Sequence, residues 1–496
     1  MSSDNGLHPR GPTPAREMRG LFLSARLKPC PSTQTSCVPE IPSRSQARTV
    51  CFRAALSRIS RVRRMSACSA TPILCFALGC LLSLLVPTFS SAQVDGQNAM
   101  DSMPGMQMEA SSSLPSFHAS SGSSWQPASV PEHMWTTSRG GWDFMIHGTI
   151  FLTYNEQGGP RGEGKAESTN NAMFMEQHKL WRGTILFREM FSAESLTSPH
   201  PGFPELFQTG ETYHGAPLVD HQHPHNVFAE LAALYTLPIS KKISWLLYGG
   251  PSAEPALGPT TYIHRESAAE DPAAPLGHHW QDSTHTSFGV VTTGFIIDRF
   301  KLEASAFDGH EPGEERWNIQ PAALDSWSFR GTAAPTRDWT AQYSYGKLIH
   351  PEADEPGDQI RQTASIEYNR PLPKGNWATS LIWGRVQKTF ESFPLNSYGL
   401  ESTVNFLRSD YAYTRFELVD KDELFPNLPG HPTYRIGAYT FGGVRDLLHN
   451  RKGQIGLGAD VTFYSKPAVL NSAYGTNPVS FHVFLRFRPG LRARSH

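Results

Sequence analysis

Apolar and polar residues alternate along most of the chain after about residue 140, and the alternation has a period of two. In the segment 359–369, for example, Arg361, Thr363 and Glu367 fall on one face of an extended chain, whereas Ile366 falls on the other. A period of two predicts a β-strand, because successive side chains of a strand point to opposite sides. The alternating segments are ten or more residues long, and strands of about 9 to 11 residues cross a membrane at a tilt.

Sixteen segments share this pattern, and tight turns alternate with longer polar loops between them. The predicted strands lie near residues 143–153, 171–181, 183–195, 226–236, 241–251, 284–297, 299–308, 324–333, 337–348, 359–370, 376–388, 397–407, 409–420, 433–447, 452–465 and 478–489. Arg182–Gly183 is one of the tight turns, and 196–225 and 252–283 are the two longest loops. Short periplasmic turns and long external loops are typical of bacterial outer-membrane barrels, so we predict an all-β fold, a transmembrane antiparallel β-barrel of about 16 strands.

The rest of the chain divides into segments outside this barrel. We predict a non-structural N-terminal extension over 1–64, a signal peptide over 65–92, a flexible periplasmic tail rich in Met and Ser over 93–140, the barrel over 141–490 and a C-terminal tail over 491–496. The signal peptide is predicted from an apolar run that follows several arginines and ends at Ser90, Ser91 and Ala92. The tail has too little apolar surface to fold alone.

Composition limits the classes of function open to the mature chain. Residues 1–64 hold 12 of the 44 basic and 3 of the 45 acidic residues, which leaves 32 and 42 in the remainder and a formal charge of −10. This balance gives no reason to expect a nucleic-acid partner. All six cysteines precede residue 93, at Cys30, Cys37, Cys51, Cys68, Cys75 and Cys80. The exported chain therefore has neither a disulfide nor a thiolate metal site.

Four methionines stand within nine residues of the predicted tail, at Met100, Met103, Met106 and Met108. Thioethers are soft ligands that select Cu(I). The passage resembles the methionine-rich segments of periplasmic copper-handling proteins, which implies a copper-binding role for these side chains. The alternative is a low-complexity linker in which the methionines bind nothing.

Nine of the twenty histidines lie between His200 and His285, in the two longest predicted loops and the strand ends beside them. After Asp220, an extended backbone would send His221, His223 and His225 to the same side, as a chelate needs. The candidate metal ligands in these loops are Asp220, His221, His223, His225, His278, His279 and His285. Imidazole with carboxylate suits copper or zinc, among other metals. The alternative is that these histidines line a polar lumen and hydrogen-bond inward-folded loops.

Two further patterns bear on function. His285-Thr-Ser287 resembles the His-x-Ser pair of the outer-membrane phospholipase, in which imidazole activates a serine. The Asn-Gly continuation of that family is absent, because Phe288-Gly289 follows here, and we predict no enzyme. Inward-facing charges such as Arg361 would either tune the selectivity of a channel or pair into a plug that closes it.

Three histidine-bearing stretches carry a resemblance to a known family. They are Gly210–Asn226, Glu254–Pro259 and Gly277–His285. Together they resemble a largely uncharacterised family of bacterial outer-membrane β-barrel proteins with histidine-rich loop signatures. The resemblance spans most of residues 140–490 and implies location and fold. One departure is at the C-terminus, where such barrels end in an aromatic residue recognised during insertion, whereas Phe487 here is followed by nine further residues.

From these patterns we predict an outer-membrane channel or receptor for small solutes that binds or passes copper or zinc ions through its histidine-rich loops. The expected partners are outer-membrane lipid, the outer-membrane assembly machinery and small solutes or metal ions, with a homo-oligomer left open. The alternatives are an outer-membrane lipid hydrolase and a structural surface barrel.

Overall fold

The computed structural model describes residues 119–198, 200–320, 322–353 and 355–491. The predicted extension over 1–64, the signal peptide over 65–92 and the four tail methionines lie outside the described residues, as does all but the first residue of the predicted C-terminal tail. No helix in the described part of the chain is long and apolar enough to cross a membrane.

Strands dominate the described residues. They are β1 (Met134–Arg139), β2 (Trp142–Glu156), β3 (Gly164–Glu167), β4 (Asn170–Leu180), β5 (Gly183–Phe191), β6 (Phe203–Pro204), β7 (Glu211–Tyr213), β8 (Ala216–Leu218), β9 (His221–Gln222), β10 (Phe228–Pro238), β11 (Ile243–Ala253), β12 (Ser287–Ile297), β13 (Phe300–Phe307), β14 (Ser326–Thr336), β15 (Trp339–Leu348), β16 (Gln359–Leu372), β17 (Gly375–Lys388), β18 (Leu395–Phe406), β19 (Asp410–Lys421), β20 (Tyr434–His449), β21 (Gln454–Ser465) and β22 (Val479–Arg488). The helices are α1 (Glu194–Thr197), α2 (His278–Gln281) and α3 (Asn471–Tyr474), with 3-10 turns at Tyr262–His264, Glu266–Ala268, Ser283–His285 and Ala468–Leu470.

Sixteen of these strands close into one antiparallel barrel, as predicted. β2, β4, β5 and β10 to β22 each pair with the next in chain order, and β22 pairs back with β2. The ends of the sixteen strands differ from the predicted ends by at most four residues. Because β22 returns to β2, the barrel has no free edge strand, and the first half of β2, beyond its pairing with β22, is paired by β1.

The two faces of the barrel wall carry opposite chemistry. Outward side chains are apolar and exposed, as at Phe300, Leu302 and Phe329, whereas inward ones are charged and buried, as at Glu303 and Arg330. Because these positions alternate along β13 and β14, each strand presents one face to each environment. An apolar exterior of this kind is what surrounding lipid requires.

The segment before β2 differs from the flexible tail predicted for 93–140. Residues 119–133 lie against the inside of the barrel, where Arg188 Nη1 donates a hydrogen bond to the Gly122 carbonyl at 3.0 Å. β1 pairs with the first half of β2, along the edge that β22 leaves open. The prediction is wrong for this part of the tail, because the wall supplies hydrogen-bond partners and a strand edge that the segment lacks by itself.

The loop between β11 and β12 folds into the barrel lumen, and nearly all of its residues are buried. Its charges pair with the wall: Arg265 Nε lies 2.7 Å from Glu401 Oε2 of β18, and Asp271 Oδ2 lies 3.0 Å from Arg415 Nη1 of β19. Arg415 Nε also donates to Glu401 Oε1 at 3.1 Å. Inward charges in this part of the wall therefore hold a plug-like loop, which is one of the two roles that the sequence left open.

Candidate metal centre

Five of the predicted histidines meet where the β11–β12 loop packs against the segment that precedes β10. His278 and His279 begin α2, His285 ends the turn that follows it, and His223 and His225 come from the other loop. The ring centroid of His285 lies 5.0 Å from those of His225 and His278. Two imidazoles that share one tetrahedral ion, at metal–nitrogen distances of about 2.0–2.1 Å, have centroids roughly 5 Å apart. His285 therefore has the ring spacing of a chelate to each of the other two, and His225, His278 and His285 are here called the histidine trio.

Each ring of the trio has its Nδ1 atom held by an acceptor. His225 Nδ1 donates to Glu194 Oε2 at 2.7 Å, and His278 Nδ1 donates to Asp282 Oδ1 at 2.6 Å. His285 Nδ1 donates to the Asp282 carbonyl at 2.9 Å. Because a carboxylate and a carbonyl only accept, the proton lies on Nδ1 and the Nε2 lone pair of a neutral ring is free. Metal-ligating histidines are typically oriented in this way.

Two of the Nε2 atoms have no partner within the described part of the chain. His225 Nε2 and His285 Nε2 are both buried without a hydrogen bond, which costs roughly 1–3 kcal/mol for each such atom. A cavity of about 20 Å³, lined in part by His223, His225 and Glu194, opens beside His225. That volume accommodates one water-sized group, so there is room for a small ligand at the His225 end of the trio.

Burial and neighbouring charges set the protonation of these groups. Burial lowers the pKa of His285 well below its usual value, and the nearby His225 and His278 lower it further. Burial also lowers the pKa of His225, but the Glu194 carboxylate outweighs burial, and the pKa is raised overall. Burial acts to raise the pKa of Asp282, and His278 beside it more than reverses this effect. The site thus combines a neutral imidazole, the form that binds metals, with two carboxylates that attract a cation.

Arg265 fixes Asp282, whose carboxylate orients the His278 ring and whose backbone carbonyl orients the His285 ring. Its Nη1 donates to Asp282 Oδ2 at 3.2 Å, while its Nε reaches Glu401 on the barrel wall. The backbone N–H of Tyr262 donates to the same Asp282 oxygen at 3.0 Å, and the Tyr262 ring lies 5.2 Å from that of His278. All of these groups are buried, so contacts with both the β11–β12 loop and the barrel wall hold the histidine trio in place.

The other predicted ligands stand apart from the trio. Asp220 Oδ2 pairs with Arg161 Nε at 2.6 Å, and His221 Nε2 lies 3.3 Å from Glu163 Oε2. From the sequence we expected His221, His223 and His225 to point to the same side of an extended chain. This expectation is wrong for His221, because β9 ends at Gln222 and the regular alternation of side chains ends there.

His223 and His279 border the trio as a second pair, with ring centroids 5.7 Å apart. His223 Nε2 lies 2.8 Å from Glu211 Oε1, and His279 Nδ1 lies 3.9 Å from Glu311 Oε1. Burial, followed by the neighbouring His223, lowers the pKa of His279 to about 3. His279 is therefore uncharged, whereas His223 is held in an ion-pairing geometry.

Two further groups of residues have side chains that could bind a metal ion, and no pattern in the sequence indicates either group. They are Asp308, His310 and Asp325, and Glu352, Glu355 and Glu423. Within each group, one donor atom from each residue lies within 4.8 Å of the others. Among the described residues the histidine trio does not meet this spacing, so an ion bound there would draw its three rings closer together. All three members of the first group lie in the β13–β14 loop, whereas the second group joins residues of the β15–β16 and β19–β20 loops.

The hydrolase alternative finds no support in the contacts of His285 and Ser287. Ser287 Oγ donates to the Thr284 carbonyl at 3.1 Å, and His285 Nδ1 donates to the Asp282 carbonyl. Among the described residues, no recorded hydrogen bond joins the serine hydroxyl to the imidazole, which general-base activation of that serine would require.

The closed wall, apolar outside and polar inside, defines a transmembrane β-barrel, the class of protein that spans the bacterial outer membrane. The protein is thus an outer-membrane barrel with its histidine cluster inside the lumen.

No protein-family model matches the chain, and no curated protein matches it. Solved structures similar to it include an anion-selective porin from Comamonas acidovorans, with 11% identity over 70% of this chain and 99% of that chain and a TM-score of 0.45. Another is Salmonella typhi OmpF in complex with daunomycin, with 10% identity over 71% and 100% of the two chains and a TM-score of 0.44. A third is Pseudomonas putida OprB at high pH, with 9% identity, 70% and 94% coverage and a TM-score of 0.43. The resemblance to a family with histidine-rich loops stays a prediction.

Proposed function

We propose that this outer-membrane barrel is a receptor or gated channel for small solutes, and that its ligand is a zinc or copper ion bound by the histidine trio. One observation carries the proposal. The Nδ1 atoms of His225, His278 and His285 are all held by acceptors, and the ring centroid of His285 lies 5.0 Å from those of the other two. Hydrogen bonding alone would leave the buried Nε2 atoms of His225 and His285 unsatisfied, whereas a metal ion would satisfy them.

The surrounding charges support a cation as the ligand. Glu194 and Asp282 are both buried beside the trio, and they are held in the charged form by the histidines next to them. Arg265 pairs with Asp282 and with Glu401 on the wall, but Glu194 has no arginine or lysine among its recorded ion pairs in the described chain. Both carboxylates would attract a divalent ion at the trio, in a region from which water is largely excluded.

The filled lumen favours a receptor or gated channel over a permanently open pore. The β11–β12 loop and residues 119–133 both occupy the interior, and their contacts with the wall are ion pairs and hydrogen bonds between buried groups. A solute larger than an ion could cross only if one of these segments moved. Imidazole ligands suit zinc and copper alike, so the two metals are the candidates to compare.

The test is calorimetric titration of zinc and of Cu(II) into the detergent-solubilised, full-length barrel. We expect saturable uptake by the natural protein and at least a tenfold weaker affinity for His225→Gln and for His285→Gln, because each change removes one ligand. His221→Gln is the matched control, because His221 lies in the same loop but outside the trio, and it should leave the affinity unchanged.

Two outcomes would reject the metal site. One is the absence of saturable uptake of either metal by a barrel that still migrates as a heat-modifiable folded band on a gel. The other is equal affinity in the natural protein and both trio variants. Either result would leave a polar lumen in which the histidines only hold the inward loops, as in a structural surface barrel.

A further inference from the structure

The methionines of the barrel are confined to one part of its wall. Of the twelve methionines in the chain, five follow residue 108, at Met134, Met145, Met173, Met175 and Met190, and none follows Met190. All five belong to β1, β2, β4 and β5, although the barrel continues for another thirteen strands. If methionine served only to fill gaps in packing, it would be expected wherever inward loops meet the wall.

Strand register brings four of these methionines together. Met145 of β2 pairs directly with Met175 of β4, and His147 of β2 pairs with Met173 of β4. Met173 in turn pairs with Met190 of β5. Positions two apart on a strand share a face, and directly paired residues have Cβ atoms about 4.5–5.5 Å apart. Four thioethers and one imidazole therefore form a single patch, here called the methionine patch.

The patch faces the interior of the barrel. Met173 and Met190 are buried, whereas Phe174, next to Met173 on β4, is an exposed outward residue. Met173, Met175 and Met190 pack in one cluster with Ile263 of the inward β11–β12 loop. Elsewhere the inner wall is mainly hydroxyl, amide and charged groups, so a run of thioethers is a local exception to a polar lumen.

A cavity lies in front of the patch. It has a volume of about 560 Å³, and Met145, Met173, Met175, His147 and His264 are among its lining residues. Met145, Met173 and Met175 therefore border this space, whereas Met190 packs behind them against Met173. A volume of this size is ample for an ion and its remaining ligands.

Two imidazoles complete the donor set. The ring of His264, in the β11–β12 loop, lies 5.5 Å from the ring of His147. His147 Nδ1 lies 3.0 Å from the His133 carbonyl, so it donates there and leaves Nε2 free, as in the histidine trio. Arg188 Nη2 donates a hydrogen bond to Met173 Sδ at 3.9 Å. Its charge is offset by Glu230, with Arg188 Nε 3.0 Å from the Glu230 carboxylate.

We propose that the methionine patch, with His147 and His264, is a binding site for a soft monovalent ion, Cu(I). Thioether sulfurs with imidazole nitrogens form a ligand set that selects Cu(I) over hard cations and is poorly suited to magnesium or calcium. The site is distinct from the histidine trio and does not depend on it. The two sites do share one turn of the chain, since Tyr262 contacts the trio and His264 faces the patch.

The test uses Ag(I), a redox-stable probe for Cu(I), in chloride-free buffer with the full-length barrel in detergent. The tail methionines are first changed together to serine at positions 100, 103, 106 and 108, so that only the lumen can supply thioethers. In that background we expect one silver ion to bind, and we expect at least a tenfold loss of affinity in the double variant Met173→Leu with Met175→Leu. Leucine keeps the apolar volume and removes only the sulfur.

Phe144→Leu with Phe174→Leu is the matched control, because these outward residues lie on the same two strands and face lipid. It should bind silver as the background protein does. X-ray absorption of the bound metal should show sulfur neighbours, and their number should fall in the Met173, Met175 variant, in which Met145 and Met190 remain. Loss of all silver binding on changing the tail alone would overturn the proposal, and so would unchanged affinity in the folded double leucine variant. Zinc binding by the trio is measured separately, so failure of one site does not decide the other.

Discussion

Replacing Arg265 by methionine should release the inward β11–β12 loop without unfolding the barrel. Arg265 is about 1% exposed, and it joins Asp282 in the loop to Glu401 on the wall. Methionine retains much of the length of the side chain but makes neither ion pair. The change therefore leaves each of two buried carboxylates with one partner fewer and removes the ion pair between the loop and β18.

The size of the effect can be estimated from these contacts. Breaking a buried ion pair by removing one partner costs about 3–5 kcal/mol. Glu401 retains Arg415 and Asp282 retains His278, which favours the lower end of that range. A cost of about 3 kcal/mol corresponds to a roughly 10²-fold increase in the population of loop-released molecules. The strand ladder of the barrel is untouched, so opening should be local rather than global.

The measurement is single-channel conductance in a planar lipid bilayer. The channel of the natural protein should be closed for most of the recording, whereas the channel of the Arg265→Met variant should show long openings. Arg435→Met is the control, because Arg435 pairs with Asp420 at 2.8 Å but its side chain is 56% exposed, and such surface pairs are worth roughly 0–1 kcal/mol. If Arg265→Met folds normally and conducts no more than the Arg435 variant, the buried network does not hold the loop in place.

Three further predictions follow from the faces of the wall, the export signal and the histidine trio. Ile366→Arg should lower the free energy of folding into vesicles by about 2–4 kcal/mol, as measured in a refolding titration. Leu428→Arg, in an exposed loop, should lower it little. Equal losses would mean that the lipid-facing and lumen-facing sides of the strand are assigned wrongly. N-terminal sequencing of protein from the outer-membrane fraction should begin at Gln93, and an intact segment 1–64 would contradict the predicted signal peptide. Zinc entry into proteoliposomes that hold a zinc-sensitive dye should slow for His225→Gln, and an unchanged rate would place the trio off the route of the ion.

The barrel could be predicted because the alternation of polar and apolar residues that indicates it lies within each strand. A strand that separates lipid from a polar interior must alternate every second residue, and residues such as Arg361 and Ile366 carry that pattern wherever the chain goes next. The tight turns fixed which strands are neighbours, since a two-residue link leaves an antiparallel strand no other partner. The clustering of histidines in the two longest loops was also visible from the sequence.

Which side chains meet inside the barrel is determined by the tertiary structure. His225 and His285 are sixty residues apart, and they meet because the β11–β12 loop finds ion-pair partners such as Glu401 inside the barrel. His221 was expected with them but turns to another partner.

The methionine patch likewise depends partly on the sequence and partly on the tertiary structure. The sequence contains Met145 and Met173, but only the register of β2, β4 and β5 makes them neighbours around one cavity. Alternation determines which face a side chain takes, because that depends on its own strand. Which side chains meet across the lumen depends on pairing and on which loops fold inward, and those are set by contacts between distant parts of the chain.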